Sequence, residues 1–364
     1  MGERFIQPEE IARAEEMMSD EQRAASEARA KFKIQEVDSF DEQIIKQDDI
    51  ERRRPTLEEK EQMDRRLVML GTLFEESGVR WQLDGALNIS LMQGEYIGIH
   101  KDVDLSVDGR DLEKLDGHLE KRGYGLFLSY PKDANDPKSK RIYERVSART
   151  MVSSAETHSI VAIDEKGGIK EDNGELNFID LHVFRNEEGK VVNVMGVELP
   201  EAWYQPNKIV FQGTEINLSH PAKIAFFKLH DTRAYDQGDV KKLVDTGRLS
   251  LEDTEEVKVL CDQEIQNKMV KVDLILGPVV EKMEADASKE RVLELLLQNP
   301  MLAGRMKGAD KNNIEELARQ VSESEDKSLD RVREIALNLF GIDESIKRLK
   351  AGSENLVRWV KERK

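Results

Sequence analysis

The chain has 364 residues, long enough for two or three packed domains, with a formal net charge of −17, 35% charged residues and 5% aromatic residues. This acidic balance excludes a broad, sequence-independent grip on nucleic acid, which depends on Lys and Arg neutralising phosphates. The single cysteine, Cys261, excludes an internal disulfide, and the longest apolar run, near 272–280, is far too short to cross a bilayer; a cytoplasmic protein without membrane contact is expected.

Residues 1–54 are rich in Glu, Lys, Arg, Gln and Ala, with scattered apolar positions and none of the apolar run of a secretory signal. They read as a charged helical or partly disordered extension, with a helix over about 8–33. Thr56 and Glu59 then give a capping-box start, followed by Met63, Leu67, Leu70 and Phe74 at helical spacing, with Gly78 as the stop. From Val79 the pattern changes. Short apolar runs predict strands at 79–83, 103–107 and 124–130, with helices at 86–92 and 111–122 between them. The segment 131–140 reads as a polar loop, 141–146 and 158–163 as one hairpin, and 176–184 with 190–194 as another. After strands at 208–211 and 215–218 the chain turns helical to its end, with starts at Ser219, Ser250, Asn312 and Ser353 and a stop at Gly341. The expected organisation is an extension (1–54), an α/β core with a mixed sheet flanked by helices (55–247), and a helical domain (248–364).

The chemistry-bearing residues lie in the core. Asp102 and Asp104, at i and i+2 in His100-Lys101-Asp102-Val103-Asp104-Leu105, share one face of a strand about 7 Å apart along it. Two adjacent carboxylates repel, and a hard divalent cation removes that cost. Mg²⁺ is commonly held by one or two carboxylates plus substrate phosphates. Gly85 precedes the pair by a turn and a short helix, an arrangement that brings backbone N–H groups near a polyphosphate. Asp180, in Phe178-Ile179-Asp180-Leu181-His182-Val183, puts a third carboxylate into an apolar strand, where a charge needs a partner or a metal. Lys228 and Arg233 offer cations for phosphate charge, and Lys223 competes with Lys228. His182, on the same strand face as Asp180, reads as a satisfied core histidine, with a supporting partner of the acids as the alternative; His100 reads as a residue orienting the acid turn, Asp239 as a helix cap or ion-pair partner, and Cys261 as a packed small residue.

The run Gly85-Ala86…Gly94…His100-Lys101-Asp102-Val103-Asp104 resembles the signature of nucleotidyltransferase-fold enzymes, especially lincosamide nucleotidyltransferases and aminoglycoside adenylyltransferases. The downstream stretch Pro221-Ala222-Lys223…Lys228…Arg233…Asp236…Asp239 is similar to that family's Lys-x4-Arg-x2-Asp-x2-Asp segment, and the resemblance covers about 65–245. It implies a nucleotidyltransferase-like fold, Asp102, Asp104 and Asp180 as metal-binding and catalytic acids, and Gly85, Ala86, Lys228 and Arg233 at the nucleotide. Mg²⁺ is the implied cofactor and a nucleoside triphosphate such as ATP the co-substrate. Two positions depart from the pattern: Ala86 stands where the family has a second glycine, narrowing the room for phosphate. Gly98 stands where an arginine is often found, removing a cation.

The activity implied is transfer of a nucleoside monophosphate to a hydroxyl on a small molecule. The same chemistry on tRNA or protein is an alternative, which a basic cluster at Arg52, Arg53, Arg54, Arg65 and Arg66 keeps open. A non-catalytic scaffold built on an inactivated transferase core is the third reading.

Overall fold

The computed structural model of the protein describes residues 35–37, 54–100, 102–133, 136–153, 157–170, 174–184, 186–187, 190–193, 195–230, 234–283, 288–299, 302 and 311–363. The helix expected over 8–33, and Arg52, Arg53 and Arg233, lie outside the described residues.

The first described helix, α1 (Leu57–Phe74), starts as its sequence dictates. The Thr56 side chain accepts from the Glu59 N–H while the Glu59 carboxylate accepts from the Thr56 N–H, at 3.3 and 2.7 Å. Met63, Leu67, Leu70 and Phe74 are all buried, each contributing about 1.5–3 kcal/mol of apolar burial. The helix ends at Phe74, short of Gly78, where the chain turns so that Phe74 packs against Trp81 with ring centroids 4.8 Å apart.

The described strands are β1 (Gln35–Val37), which precedes α1, and then β2 (Trp81–Leu83), β3 (Asp104–Asp108), β4 (Tyr124–Asp133), β5 (Asp136–Arg145), β6 (Thr157–Ala162), β7 (Phe178–Phe184), β8 (Asn186–Glu187), β9 (Lys190–Val192), β10 (Glu198–Leu199), β11 (Asn207–Phe211) and β12 (Thr214–Leu218). Nine of them form one mixed sheet, ordered β1-β5-β4-β6-β7-β3-β2-β12-β11, and β10-β9-β8 form a small second one. β3 runs parallel to β7, and β2 to β12; the other pairs in the large sheet are antiparallel. Helices α2 (Gly85–Gln93) and α3 (Leu112–Lys121) follow β2 and β3, as the apolar periodicity predicts.

Several connections differ from the expectation. The segment 131–140 belongs largely to a β4–β5 hairpin, whose register shifts between Pro131 and Asp133. Proline cannot donate to the ladder, so an irregularity falls there, and backbone pairing holds the polar strands that side-chain pattern reads as loop. β5 and β6 are not hairpin partners because β4 lies between them. β7 likewise does not pair with β9: Ile179 and Leu181 bury it between β6 and β3, and β9 joins the small sheet.

The helix after β12 is α5 (Pro221–Lys228); α4 (Ala148–Ser153) precedes β6. His220, not Ser219, caps α5, accepting from the Ala222 N–H at 3.3 Å, because the Ser219 hydroxyl is directed inward. The remaining helices are α6 (Ala234–Asp245), α7 (Leu251–Glu281), α8 (Lys289–Leu297), α9 (Lys311–Glu323), α10 (Leu329–Leu339) and α11 (Ile342–Glu362). Ser250 caps α7 with Asp253, as expected. Ser353 starts no helix; it lies buried inside α11.

Two large hydrophobic clusters divide the molecule. The first packs the sheet against α1, α2, α3 and α5, together with Val257, Leu260 and Cys261 of α7 and Leu349, Leu356 and Val360 of α11. The second begins at Val272 and runs to Phe340. The long helix α7 serves both cores. No described helix is long and apolar enough to cross a membrane.

Candidate active site

The parallel pairing of β3 with β7 sets Asp104 directly beside Asp180. Asp102 lies two residues before Asp104, and the Asp180 N–H donates to the Val103 carbonyl at 3.0 Å, tying the acid turn to β7. One oxygen from each of Asp102, Asp104 and Asp180 lies within 4.8 Å of the others. The three acids expected from the sequence therefore converge, although 78 positions of chain separate Asp102 from Asp180.

This convergence has an electrostatic cost. Burial, and then repulsion from Asp102, push the Asp104 carboxyl up to about 6; burial, Asp104 and Asp102 push Asp180 up to about 7. Three hard oxygen donors at this spacing, two of them disfavouring their own charge, fit a divalent cation such as Mg²⁺.

Gly85 is required here on two counts. Its φ of +67° lies in the left-handed region, and a Cβ added there would collide with the Asp104 carboxylate. The turn is held by the Asp84 N–H, which donates to the Asp104 carbonyl at 2.8 Å. Asp84 is the N-cap residue of α2, yet its side chain makes no capping hydrogen bond. The carboxylate instead points inward, accepting from the Ser219 hydroxyl and from Lys223 Nζ at 2.9 Å.

Lys223 is 2% exposed, and its ammonium also donates to Ser106 Oγ at 2.5 Å, Ser219 Oγ at 3.0 Å and Gln82 Oε1 at 3.2 Å. It lies 4.9 Å from the centre of the Tyr204 ring. Burial would raise the Asp84 carboxyl, but the Lys223 charge and the His182 and Ser219 contacts outweigh it and hold Asp84 well below the usual carboxylate range. Burial also lowers the Lys223 ammonium against the pull of Asp84. The two remain a buried ion pair.

His182 differs from the core histidine read from the sequence. It shares the Asp180 face of β7, but its side chain is 59% exposed, with Nδ1 3.5 Å from Asp84 Oδ2. Partial burial opposes its charge, yet the Asp84 contact and the negative charges of Asp104, Asp84 and Asp180 raise it to about 9.

The other residues singled out from the sequence sit around this centre. Lys228 is close enough for its charge to act on Asp104, but its Nζ is shared by Asp236 at 2.8 Å and Asp239 at 3.3 Å. Asp239 thus forms an ion pair, as expected. Ala86 packs in part against the first core. The His100 N–H donates to Met63 Sδ at 3.4 Å, anchoring the approach to the acid turn.

Sequence reading missed the Asp84–Lys223 pair as a unit. Its signal was a lone cation in the otherwise apolar Pro221-Ala222-Lys223-Ile224-Ala225-Phe226-Phe227, and a lone acid straight after Trp81-Gln82-Leu83.

Residues 66–135 match the family model described as aminoglycoside-2''-adenylyltransferase. This part of the chain, with Gly85, Asp102 and Asp104, is similar to nucleotidyltransferase enzymes; the match ends before Asp180. Comparison with curated protein sequences gives no match. Among solved structures, the chain is 17% identical to the lincosamide antibiotic adenylyltransferase LnuA in its lincomycin-bound form, at a TM-score of 0.32 over 52% of this chain and 98% of that one. The antibiotic-resistance factor ANT(2'')-Ia gives 12% identity and a TM-score of 0.32 over 55% and 89%. An antigenic nucleotidyltransferase-like protein from Paracoccidioides brasiliensis gives 12% and 0.29 over 51% and 75%.

Proposed function

We propose that the protein is a metal-dependent nucleotidyltransferase that moves a nucleoside monophosphate from a nucleoside triphosphate to a hydroxyl group on a small molecule. The observation that carries this reading is the convergence of Asp102, Asp104 and Asp180 within 4.8 Å beside the Gly85 turn. The family match over residues 66–135 supports the same chemistry.

Asp102, Asp104 and Asp180 are the residues that would hold Mg²⁺, which when bound supplies Lewis-acid stabilisation of the phosphate charge. The space left by Gly85 is taken by the Asp104 carboxylate, which brings that acid against the start of α2, whose N–H groups, not capped by Asp84, would receive the triphosphate. In the reaction the acceptor oxygen bonds to the α-phosphorus and the bond from that phosphorus to the pyrophosphate oxygen breaks. The hydroxyl proton passes to the Asp180 carboxylate, and pyrophosphate leaves. Lys228, tethered by Asp236 and Asp239, adds positive charge on the Asp104 side without reaching freely into solvent. A single buried thiol agrees with a reducing compartment such as the cytoplasm.

The test is incubation with Mg²⁺ and each α-labelled nucleoside triphosphate, against pools of small hydroxyl compounds, tRNA and proteins, beside an Asp104→Asn variant. Metal-dependent label on a small acceptor, lost in the variant, supports the reading. Label on tRNA or protein moves the acceptor class, and equal labelling by both proteins removes the assignment of Asp104. The absence of any nucleotide binding favours the scaffold.

A further inference from the structure

Phe227 takes no part in the chemistry described above, yet its place in α5 sets it beside that chemistry. It is 43% exposed, and it is the only exposed aromatic among the described residues. A lone apolar side chain in water is ordinary on a protein surface; the position of this one is not. At about 100° of turn per residue, Phe227 lies about 40° round α5 from Lys223, and Lys228 about 140° round it, so the ring falls between the two lysines. The lysines mark where that side of the helix looks. Lys223 Nζ reaches Asp84, next to the Gly85 turn, at 2.9 Å, and Lys228 is close enough for its charge to act on Asp104. α5 also packs against α2, whose start would receive the triphosphate.

The ring is braced. Phe226, fully buried, meets it with centroids 5.4 Å apart and planes at 82°. Phe226 is itself packed against the Trp203 and His230 rings, at 5.8 and 4.7 Å. An exposed ring held in this way loses little freedom when another ring stacks on it.

We infer that Phe227 is a nucleotide-binding residue, whose exposed ring stacks on the base of the nucleoside triphosphate. This assignment rests on the nucleotidyltransferase reading above. The base, and not the acceptor, belongs here because α5 flanks α2 and the Asp104 side of the acid trio. The acceptor hydroxyl gives its proton to Asp180 on β7, which lies across β3 from the Gly85 turn. Every base presents a π face, so a contact of this kind takes purines and pyrimidines alike and adds affinity without reading the base edge.

The experiment measures calorimetric affinity for ATP, GTP, CTP, UTP and inorganic tripolyphosphate, each with Mg²⁺. Steady-state transfer and circular dichroism accompany it, for the wild type, Phe227→Ala, Phe227→Leu and Phe227→Tyr. Phe227→Ala is expected to weaken each nucleoside triphosphate about tenfold and to raise its KM to match. The kcat, the acceptor KM, the tripolyphosphate affinity and the fold stay unchanged. Phe227→Leu keeps apolar bulk without the π face and recovers little, whereas Phe227→Tyr keeps the ring and binds as the wild type does. Tripolyphosphate carries phosphates and no base, so an equal loss for both kinds of ligand overturns the assignment. A rise in the acceptor KM alone moves the ring to the acceptor and overturns it too. Unchanged nucleotide affinity in Phe227→Ala, or full affinity in Phe227→Leu, removes the stack while the activity stands. If the wild type neither binds nor transfers a nucleotide, the activity reading fails and takes this contact with it.

Discussion

Asp84 and Asp104 are joined by a backbone hydrogen bond of 2.8 Å, yet their carboxyls are driven in opposite directions. Asp84 faces a buried lysine, a serine and a histidine, and is held well below the ordinary range of a carboxylate. Asp104 faces Asp102 and Asp180 and is pushed up to about 6. Burial opposes charge at both. The difference lies in what the fold places opposite each acid: a cation supplied by α5 in one case, two more acids in the other. Asp84 is paired directly with a buried cation, whereas at Asp104 the charges of His182 and Lys228 do not outweigh burial and the neighbouring acids. That contrast separates a structural support from the proposed metal site more sharply than residue type does.

The comparison can be tested from both sides. The largest effect is expected for Asp104→Asn, which removes a ligand from the acid trio. Transfer should fall on the order of 10⁴-fold, the equivalent of several kcal/mol of transition-state stabilisation, while the thermal midpoint without metal holds or rises because one repelling charge has gone. A fall in that midpoint would contradict the repulsion among the acids. On the other side, Lys223→Met leaves the Asp84 charge buried without its cation, and should destabilise the fold by about 3–5 kcal/mol in chemical denaturation. Replacing Asp84 by Asn in the same chain should restore most of that loss; no restoration would break the pairing.

Gly85→Ala follows, with a cost of about 1–3 kcal/mol from the left-handed backbone and added displacement of Asp104 by the new Cβ. Weakened Mg²⁺ binding, measured by calorimetry, is the expected companion, and unchanged binding would separate the turn from the site. The smallest effect concerns pH. Asp104 and Asp180 have folded values of about 6 and 7, above the ordinary carboxylate value of 3.8, so the metal-free fold binds protons more tightly than the unfolded chain does. That contribution is fully present below about pH 4 and is lost as pH rises through 6 to 7. A cation replaces the protons. Mg²⁺ should therefore raise the thermal midpoint little at pH 5 and by a larger margin at pH 8, and an equal rise at both would count against a shared ion on these acids.

Much of the local structure was legible in advance. Thr56 and Glu59 announced the start of α1, and Met63, Leu67, Leu70 and Phe74 its buried face, because capping and helical periodicity act within a few residues. The same holds for β3, β7 and the α2 turn, whose short apolar runs are bounded by glycine. Pairing was another matter. The strands at 141–146 and 158–163 were recognisable, but the interposition of β4 was not, since a strand's side-chain pattern says little about which edge it will join. The polar side chains of 131–140 predict a loop, because side-chain pattern does not reveal the backbone pairing of β4 with β5. The exposure of His182 is not legible either, because alternation along an apolar strand does not reveal that the side chain stays more than half exposed.

By itself, the sequence determined the acids available for chemistry, the glycine that must bend beside them, and most of the helices, all consequences of interactions along a short stretch of chain. Only the tertiary structure decided that Asp180 stands level with Asp104, that Lys223 belongs to Asp84, and that His182 looks outward. Each of these joins residues tens of positions apart, and their meeting is fixed by sheet order and by the burial of charge against charge, which no local pattern encodes.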